Sequence, residues 1–381
     1  MKVLIAGDFC IKETVDVPLT KADNAETAKT MREMIADYDI RVVNFESVIT
    51  DGKTPIAKSG PPLKSPWAAA ELAKEFGFDI CACANNHFGD YGQRGVLDTL
   101  HALEGCGFQT VGAGANAEEA ENPLYVENIV FLNFAEHEFG IAGADYAGTA
   151  EMDFYKNRKA VREAAQKAEY VIVYLHGGNE HCPFPREGMI QYCRGLAEAG
   201  AAAVIVAHAH CPQGYEYYNG VPIAYGLGNF CFPGMGSDNP MWRKGYMAGL
   251  SLENGRAELT PVFYEARGNG MQIHPGWSDC ESDAYINYLS GLIGNQELRE
   301  RLWLAWCEMY INWASAYMDR FCFARGSTDE SVLFLRNAFT CESHCELMRT
   351  YLTAFCDGKL KDLTHEREII KTLQAGMLPE A

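Results

Sequence analysis

Basic residues are too few in this chain to form a surface that binds nucleic acid. The 381 residues include 51 Asp and Glu but only 32 Lys and Arg, which leaves a net charge of −19. A chain this acidic repels phosphate backbones and anionic membranes, so we exclude nucleic-acid binding through a basic face. If the protein acts on a phosphorylated substrate, bound metal cations must reverse the local field.

Cys-x-x-Cys pairs are absent, although the chain has fourteen cysteines. Their absence excludes a zinc knuckle or a redox motif with that spacing. The cysteines are scattered, and many of them lie on apolar faces of the predicted elements. We therefore expect most of them to be buried, reduced thiols.

Long apolar runs are also missing. No run is long enough to cross a bilayer, and Met1 leads directly into a strand-like segment instead of a signal peptide. We therefore expect no membrane segment and a cytoplasmic location. The hydrophobic content of 48%, with 12% aromatic residues, is ample for a buried core and excludes wholesale disorder.

Strand-like and helix-like segments alternate from Lys2 to His208. This alternation predicts an α/β fold in which helices cover a sheet. Further along, Asn219-Gly220 and Asn254-Gly255 each separate two strand-like segments, which predicts hairpins because both turn positions need a positive φ. We expect these hairpins to form an antiparallel sheet that packs against the first one.

The pattern becomes helical from about residue 279, with periodic segments at 283–323, 328–356 and 364–376. Aromatic residues three or four positions apart mark one helix face: Trp303, Trp306, Tyr310, Trp313 and Tyr317. Such a stripe favours core packing in a helical bundle over a cofactor site. We expect two domains, 1–270 and 279–381, and the helical one is a candidate surface for forming homo-oligomers.

Polar side chains that bind metals follow five predicted strands at the point where each ends. The last of these strands, around Val204, runs into His208 and His210, which at i and i+2 on a strand point the same way. Asp and Asn at such junctions are often only caps or turn residues. The full series mixes carboxylates, amides and imidazoles, as divalent cations prefer: Asp8, Asn44, Glu46, Asn86, His87, His176, His208 and His210.

This order of ligands resembles the calcineurin-like binuclear metallophosphoesterases and, within them, the poly-γ-glutamate capsule biosynthesis (CapA) family. The resemblance covers about residues 1–265. It is carried by Gly7-Asp8, Asn44-Phe45-Glu46-Ser47, Ala84-Asn85-Asn86-His87 with Asp90-Tyr91-Gly92, His176-Gly177-Gly178 with Glu180, His208-Ala209-His210 and Gly226-Leu227-Gly228-Asn229-Phe230. It implies an αββα sandwich, here with a C-terminal helical appendage.

The resemblance also implies two divalent metal ions, Mn, Fe or Zn, with Glu46 bridging them. One ion would be held by Asp8, Glu46 and His210, and the other by Glu46, Asn86, His176 and His208. His87 would lie beside the ions and act on the substrate or its leaving group. Cys10 stands where the phosphoesterase pattern has a histidine, and whether it is a ligand stays open.

Further residues are candidates for the substrate and for support of the ligands. We assign Glu180 to the catalytic group with His87, and Lys58, Asn44 and His181 to substrate binding. Lys64 is a second candidate clamp, although both lysines are also typical of a solvated loop. Glu136-His137-Glu138 is interpreted as a solvated or rim feature, with contact to the substrate as the alternative, and Asn229 as a residue that holds a loop and not a metal.

Three functions are compatible with this reading. The leading hypothesis is a metal-dependent hydrolase of a phosphate ester, or of an amide, in a capsule or cell-envelope polymer precursor, so the partner would be a small, anionic substrate. The alternative is a non-catalytic accessory protein of poly-γ-glutamate or capsule synthesis that keeps the metal site for binding. A third is an interaction module that uses the Trp-rich helices.

Overall fold

The computed structural model describes residues 1–17, 19–234, 239–278, 281–322, 329–360 and 362–380. These residues form two large β-sheets with helices around them, followed by five helices at the C-terminal end. A two-stranded ribbon pairs β5 (Ala113–Gly114) with β8 (Gly148–Thr149).

The first sheet has a parallel half and an antiparallel half. Strands β1 to β4 and β13 are parallel, while β14 joins β1 in the antiparallel sense and continues to β15 and β16. The strands are β1 (Lys2–Phe9), β2 (Ile40–Phe45), β3 (Ile80–Ala82), β4 (Gln109–Val111), β13 (Asn229–Cys231), β14 (Lys244–Glu253), β15 (Arg256–Arg267) and β16 (Gln272–Pro275).

The second sheet has a parallel centre of β7, β9, β10 and β12, with β6 and β11 as antiparallel edges. Strands β7, β9 and β10 are buried along their whole length, as expected of strands covered on both faces. The strands are β6 (Leu124–Val126), β7 (Ile129–Ala135), β9 (Tyr170–His176), β10 (Ala203–Ala207), β11 (Tyr215–Tyr218) and β12 (Val221–Ala224).

The helices that flank the sheets occupy most of the connections between parallel strands. They are α1 (Ala25–Met34), α2 (Trp67–Glu75), α3 (Gly92–Gly105), α4 (Ala117–Ala120), α5 (Phe154–Ala164) and α6 (Glu187–Ala199). The α5 helix begins after Asp153, whose carboxylate accepts hydrogen bonds from two backbone N–H groups of the first turn. The α6 helix ends at Gly200, which has a φ of 113° and so suits glycine.

The two sheets pack face to face. Successive side chains of a strand point to opposite sides of its sheet, so one face can pack against the other sheet while the second face packs against helices. Val3 and Ile5 of β1 share a buried apolar cluster with Ile172 of β9, between the sheets. Leu4, from the other face of β1, packs in a second cluster with Met31 of α1. The α/β prediction, with a two-sheet sandwich flanked by helices, is therefore confirmed.

The hairpin turns are confirmed, but the sheet that they were expected to form is not. Asn219 and Asn254 have φ values of 51°, and the glycines that follow them are also positive. The two hairpins do not form a sheet of their own. The β11–β12 hairpin extends the second sheet beside β10, and the β14–β15 hairpin extends the first sheet beside β1. Each hairpin pairs with a strand edge that the parallel strands leave open, which satisfies more backbone hydrogen bonds than a separate sheet would.

The C-terminal helices, called the tail helices below, are α7 (Ser282–Gly294), α8 (Gln296–Cys322), α9 (Asp329–Thr340), α10 (Glu342–Cys356) and α11 (Thr364–Gln374). Two of the three predicted segments are each split into two helices. The first break lies at Asn295, whose side chain accepts a hydrogen bond from the N–H of Leu298 in the first turn of α8. The predicted boundaries at residues 279, 323 and 328 lie outside the described residues.

Trp303 and Trp306 are buried in the cluster that also contains Ile172 and Tyr285, so core packing of this part of the aromatic stripe is confirmed. The side chains of Trp313 and Tyr317 lie outside the described part of the chain. The tail helices thus share a core with the sheets, and the division into two domains stays a prediction.

Two further expectations concern the chain as a whole. Most of the described cysteines are free and buried, as expected. Across the ranges given above, no helix has the length and apolar character needed to cross a membrane. The cytoplasmic location stays a prediction.

Candidate metal centre

His208 and His210 reach the site from a turn and not from a strand. Strand β10 ends at Ala207, and the two histidines have φ values of 103° and 54°. The prediction that they lie on the strand itself is therefore wrong. The chain leaves the sheet in a left-handed conformation that non-glycine residues rarely adopt. The backbone N–H of His208 donates to Asp8 across 3.3 Å, which fixes this turn against the end of β1.

Asp8, Glu46 and His210 converge at the carboxyl ends of β1, β2 and β10. The Nδ1 atom of His210 lies 3.4 Å from an oxygen of Asp8, and its Nε2 atom lies 3.9 Å from Glu46. All three side chains are buried. Each residue contributes one donor atom to a group whose members lie within 4.8 Å of one another, as ligands of a single cation would.

Glu46 also belongs to a second group, with His176 and His208. The Nε2 atom of His176 is 3.6 Å from Glu46 and 3.1 Å from Nδ1 of His208. It is also 3.0 Å from the side-chain oxygen of Asn86. The structure thus brings together all six residues predicted as metal ligands, in two groups that share Glu46. We call these six residues the candidate centre.

Glu46 provides the test of whether a cation fits. Neither of its buried carboxylate oxygens has a hydrogen-bond partner among the described residues. Burial and the neighbouring Asp8 carboxylate raise the pKa of Glu46 well above its ordinary value. A buried carboxylate without partners is costly unless positive charge is bound beside it. The donor set and the free lone pairs therefore fit divalent cations.

The pKa values of His210 and His176 are shifted in opposite directions. Burial acts to lower the pKa of His210, but the carboxylates of Glu46 and Asp8 outweigh it and raise that pKa to about 10. Burial, together with the nearby His208 and His210, holds the pKa of His176 well below its ordinary value. The centre therefore attracts positive charge on the Asp8 side and keeps a neutral imidazole, suited to ligation, on the other.

Two asparagines hold the ligands from behind. The amide of Asn44 donates to Asp8 across 2.7 Å and lies 3.1 Å from Nδ1 of His176. The side-chain oxygen of Asn229 lies 2.8 Å from Nδ1 of His210, which leaves Nε2 of that ring to face Glu46. Both contacts would fix the orientation of a ligand. Substrate binding by Asn44 stays a prediction.

His87 is held by a carboxylate that sequence reasoning did not assign a role. Its Nδ1 atom lies 2.7 Å from Asp90, which also accepts a hydrogen bond from the backbone N–H of Leu63. Lys58 contacts the same carboxylate across 2.5 Å and donates to the backbone oxygen of Asn86. The i, i+3 spacing of His87 and Asp90 is the signal that would have indicated this pair.

The positive charge of Lys58 compensates the negative charge of Asp90 beside His87. Burial and the Lys58 charge lower the pKa of His87. Burial acts to raise the pKa of Asp90, but His87 and Lys58 outweigh it and lower that pKa. Lys58 is almost completely buried at its ion pair, so its ammonium group positions Asp90 and His87. A direct substrate clamp by Lys58 stays a prediction.

Glu180 and His181 lie on the loop after β9 and face the cavity beside the candidate centre. Glu180 forms a further donor group with His208 and His210. Desolvation by the surrounding protein acts to raise the pKa of Glu180, although the residue is exposed to solvent, but His210 and His208 outweigh it and lower that pKa to about 2. His181 has a φ of 62°, and its carbonyl accepts a hydrogen bond from Gln374 of α11.

The remaining candidates have structural partners. Cys10 lies in an apolar cluster with Trp242, and burial followed by Glu46 raises the pKa of its thiol well above its ordinary value. Lys64 forms an ion pair with Glu13 in the loop. The expectation of a solvated Glu136 is wrong, because this residue is buried against Arg186.

A cavity of about 670 Å³ opens on the candidate centre. One side is formed by the centre and its neighbours, including Lys58, His87 and Glu180. The opposite wall comes from the tail helices. It consists of Trp306, Tyr310, Asn337, Ser343, His344 and Leu347. Sequence reasoning did not find this wall, because an aromatic stripe that faces a cavity has the same periodicity as one that faces a core.

The fold and the site together define an α/β sandwich protein with a carboxylate–histidine candidate metal centre between its two sheets. A family model described as "Bacterial capsule synthesis protein PGA_cap" matches residues 2–234. The chain belongs to this family, and the predicted CapA-type membership is confirmed.

Three curated relatives have informative names. The chain is 29% identical over 197 residues to the PGA biosynthesis protein CapA of Bacillus subtilis (strain 168), covering 50% of this chain and 52% of the relative. It is 31% identical over 181 residues to the capsule biosynthesis protein CapA of Bacillus anthracis, covering 45% and 44%. It is 30% identical over 213 residues to a probable polyglutamine synthesis accessory protein of Mycobacterium tuberculosis (strain ATCC 25618 / H37Rv), covering 50% and 55%.

The chain spans about half the length of the curated relatives that it matches. Among solved structures, a 5'-nucleotidase from Candida albicans SC5314 aligns at 10% identity with a TM-score of 0.38, covering 71% of this chain and 52% of that one. The fold assignment rests on the strands and helices described above.

Proposed function

We propose that the protein is a metal-dependent hydrolase that cleaves a phosphate ester of a capsule or poly-γ-glutamate precursor. The observation that carries this proposal is the Glu46 carboxylate, which lies without hydrogen-bond partners among the described residues, between two groups of histidine and carboxylate donors. Asp8, Glu46 and His210 would hold one ion, and Glu46, Asn86, His176 and His208 the other. When bound, two Mn, Fe or Zn ions supply Lewis acidity and a water of lowered pKa.

The residues of the chain would position the substrate and move the proton. The pair formed with Asp90 occupies Nδ1 of His87, so Nε2 is the atom that can serve the cavity. Once the ring has taken up a proton from the solvent, Nε2 would donate a hydrogen bond to the leaving oxygen and supply that proton, which returns His87 to the neutral form that its lowered pKa favours. Asn44 and Asn229 would keep Asp8 and His210 in place. The walls of the cavity would exclude bulk water around the phosphoryl group.

The substrate class follows from the relatives and from charge. Two relatives are named for capsule or PGA biosynthesis. The chain itself carries a net charge of −19, so an anionic substrate would be held through the ions and not through a basic surface. A cavity of this size fits a small precursor or the end of a polymer.

The alternative is a non-catalytic role in polymer synthesis. A relative from M. tuberculosis carries the name of a probable accessory protein, which favours this alternative. In that case the centre would bind metal and an anionic ligand without turnover.

The two proposals are separated by measuring metal content and hydrolysis on the same protein. The full chain is depleted of metal, reloaded with Mn, Fe or Zn, and assayed with an aryl phosphate and an aryl phosphodiester. Hydrolysis is expected with about two ions bound at the candidate centre. His87→Ala is expected to lower kcat by about 10²–10⁴-fold with the ions still bound. His101→Ala, at an exposed position of α3, is the control. Two bound ions without hydrolysis of either ester would favour the accessory role, and no bound ion would overturn both.

A further inference from the structure

A group of metal-binding side chains lies outside the candidate centre. Among the described residues, four groups of three histidine, cysteine or carboxylate donors lie within 4.8 Å of one another. Three of these groups draw on the candidate centre and Glu180. The fourth consists of Glu138, from the loop after β7, with Cys341 and His344 at the start of α10. It shares no residue with the other three.

We propose that Glu138, Cys341 and His344 form a separate binding site for one zinc-type cation, which joins the tail helices to the candidate centre. The proposal concerns this group of side chains alone and does not depend on hydrolysis by the centre.

The distances suit a shared cation better than direct contacts. Oε1 of Glu138 lies 3.8 Å from Sγ of Cys341 and 3.9 Å from Nε2 of His344. The imidazole–carboxylate distance is too long for a hydrogen bond. Tetrahedral zinc with ordinary bond lengths sets its ligand atoms about 3.3–3.6 Å apart. The two measured distances exceed that arrangement by about 0.3–0.6 Å, and the donor atoms of all three residues lie within 4.8 Å of one another.

The chemistry of the donors also points to a borderline cation. Thiolate, imidazole and carboxylate together select Zn²⁺ or a similar transition metal over Mg²⁺ or Ca²⁺. Cys341 is fully buried, and burial followed by the charge of Glu138 raises the pKa of its thiol well above the ordinary value. On binding, the cation would replace the proton of the Cys341 thiol, and that proton would pass to the solvent.

Glu138 connects this site to the candidate centre through its other oxygen. Oε2 accepts a hydrogen bond from the side-chain amide of Asn86 across 2.6 Å, while Oε1 faces Cys341 and His344. The side-chain oxygen of Asn86 in turn lies 3.0 Å from His176. A cation on Oε1 would therefore fix the carboxylate that orients one of the predicted ligands.

The site also has room for an exogenous ligand. Glu138 and His344 line the cavity, whereas Cys341 lies behind them. Three protein ligands beside a cavity leave a fourth tetrahedral position for water or for a group of the substrate.

The test is a titration of the metal-depleted full chain with Co²⁺ and Zn²⁺. Cobalt bound to a thiolate gives a charge-transfer absorption that ligation by oxygen and nitrogen alone does not. We expect this absorption in the wild-type protein, with one Co²⁺ per chain responsible for it. Cys341→Ser is expected to abolish the absorption and to lower the metal content by about one ion per chain. Cys106→Ser is the control for a half-buried thiol outside the group.

Two more variants guard against a folding defect and a wrong thiol. His344→Gln keeps the thiol and is expected to weaken Co²⁺ binding at this site by at least tenfold. Cys10→Ser tests the thiol nearest the candidate centre and is expected to keep the absorption. The proposal is overturned if the wild type lacks the absorption or if Cys341→Ser keeps it. It is also overturned if His344→Gln binds Co²⁺ at this site with the affinity of the wild type. The readout is separate from hydrolysis, so a failure of the proposed reaction leaves this result interpretable.

Discussion

Glu46 is the residue on which the two halves of the candidate centre converge. Its Oε1 atom lies 3.6 Å from Nε2 of His176 and 3.9 Å from Nε2 of His210, so one oxygen faces a ligand of each group. A carboxylate in this position gains nothing from burial by itself. The cations proposed above, shared between the two groups of candidate ligands, would account for its presence.

The first prediction concerns the stabilisation that these cations bring. Adding Mn²⁺ or Zn²⁺ at 100 times its dissociation constant is expected to stabilise the wild type by about 2.7 kcal/mol for each site, because the ion binds only the folded state. Glu46→Gln keeps the shape but removes the charge, so most of this gain is expected to disappear. Thermal unfolding with and without metal measures the effect.

Glu163→Gln, at an exposed position of α5, is the matched control and is expected to keep the full metal-dependent shift. An equal shift in Glu46→Gln and wild type would contradict the assignment of Glu46 as a bridging ligand.

Asp90 carries the second prediction, as a positioning residue for His87. Asp90→Asn removes the charge that holds the imidazole, so kcat for an aryl phosphate is expected to fall by about 10²–10⁴-fold with unchanged metal content. Asp90→Glu keeps the charge and is expected to recover part of the rate. A merely structural role would lower the rates of both variants to the same extent, together with their thermal stability.

Among the elements, α10 is tied to the sandwich by a buried ion triad. Arg186, immediately before α6, contacts Glu136 at the end of β7 and Glu346 of α10. The arginine and Glu136 are 5% and 3% exposed, so water does not compensate either charge. These contacts fix the position of α10, which forms part of the cavity wall, relative to the loop that carries Glu138.

The third prediction follows from that triad. Arg186→Met leaves two buried carboxylates without their cation, and is expected to lower the free energy of unfolding by about 3–5 kcal/mol. Denaturation in urea at neutral pH measures the loss. Arg162→Met, on the exposed face of α5, is expected to change it by less than about 0.5 kcal/mol. Adding Glu346→Gln to Arg186→Met is expected to restore part of the stability, and no recovery would count against the triad.

Many of the strands, helices and turns could be predicted from local sequence signals. The alternation of strands and helices between Lys2 and His208 is present in the structure, and both Asn-Gly turns form. The partners of the hairpins were not predictable, because the turn residues fix a pair of strands and not the sheet edge that it joins. The positive φ values of His208 and His210 have no local signal either, since they depend on contacts with Asp8 and Asn229 from distant parts of the chain.

At the scale of the whole molecule, two parts of the chain form the cavity, and each part contributes a different set of residues. The sandwich supplies the predicted ligands, His87 and Glu180. The tail helices supply an opposite wall that includes Trp306 and Tyr310, whose ring centroids lie 4.2 Å apart. The residues that meet in the candidate centre could be predicted from the sequence, whereas the wall required knowledge of how the helices fold back.

The fourth prediction tests this division. Tyr310→Ala removes a half-buried ring from the wall without touching the candidate centre, so KM for the substrate is expected to rise by about 5–20-fold with kcat within about twofold. Tyr155→Ala, which changes a tyrosine that is 83% exposed, is the control. A fall in kcat at unchanged KM would instead assign Tyr310 to the chemical step.

The wall has a consequence for how such proteins diversify. The family model ends at residue 234, before the first residue of the wall, and every predicted metal ligand lies within it. The candidate centre and the wall that faces it are therefore encoded in separate stretches of the gene. Exchanging the second stretch would reshape the cavity around an unaltered candidate centre.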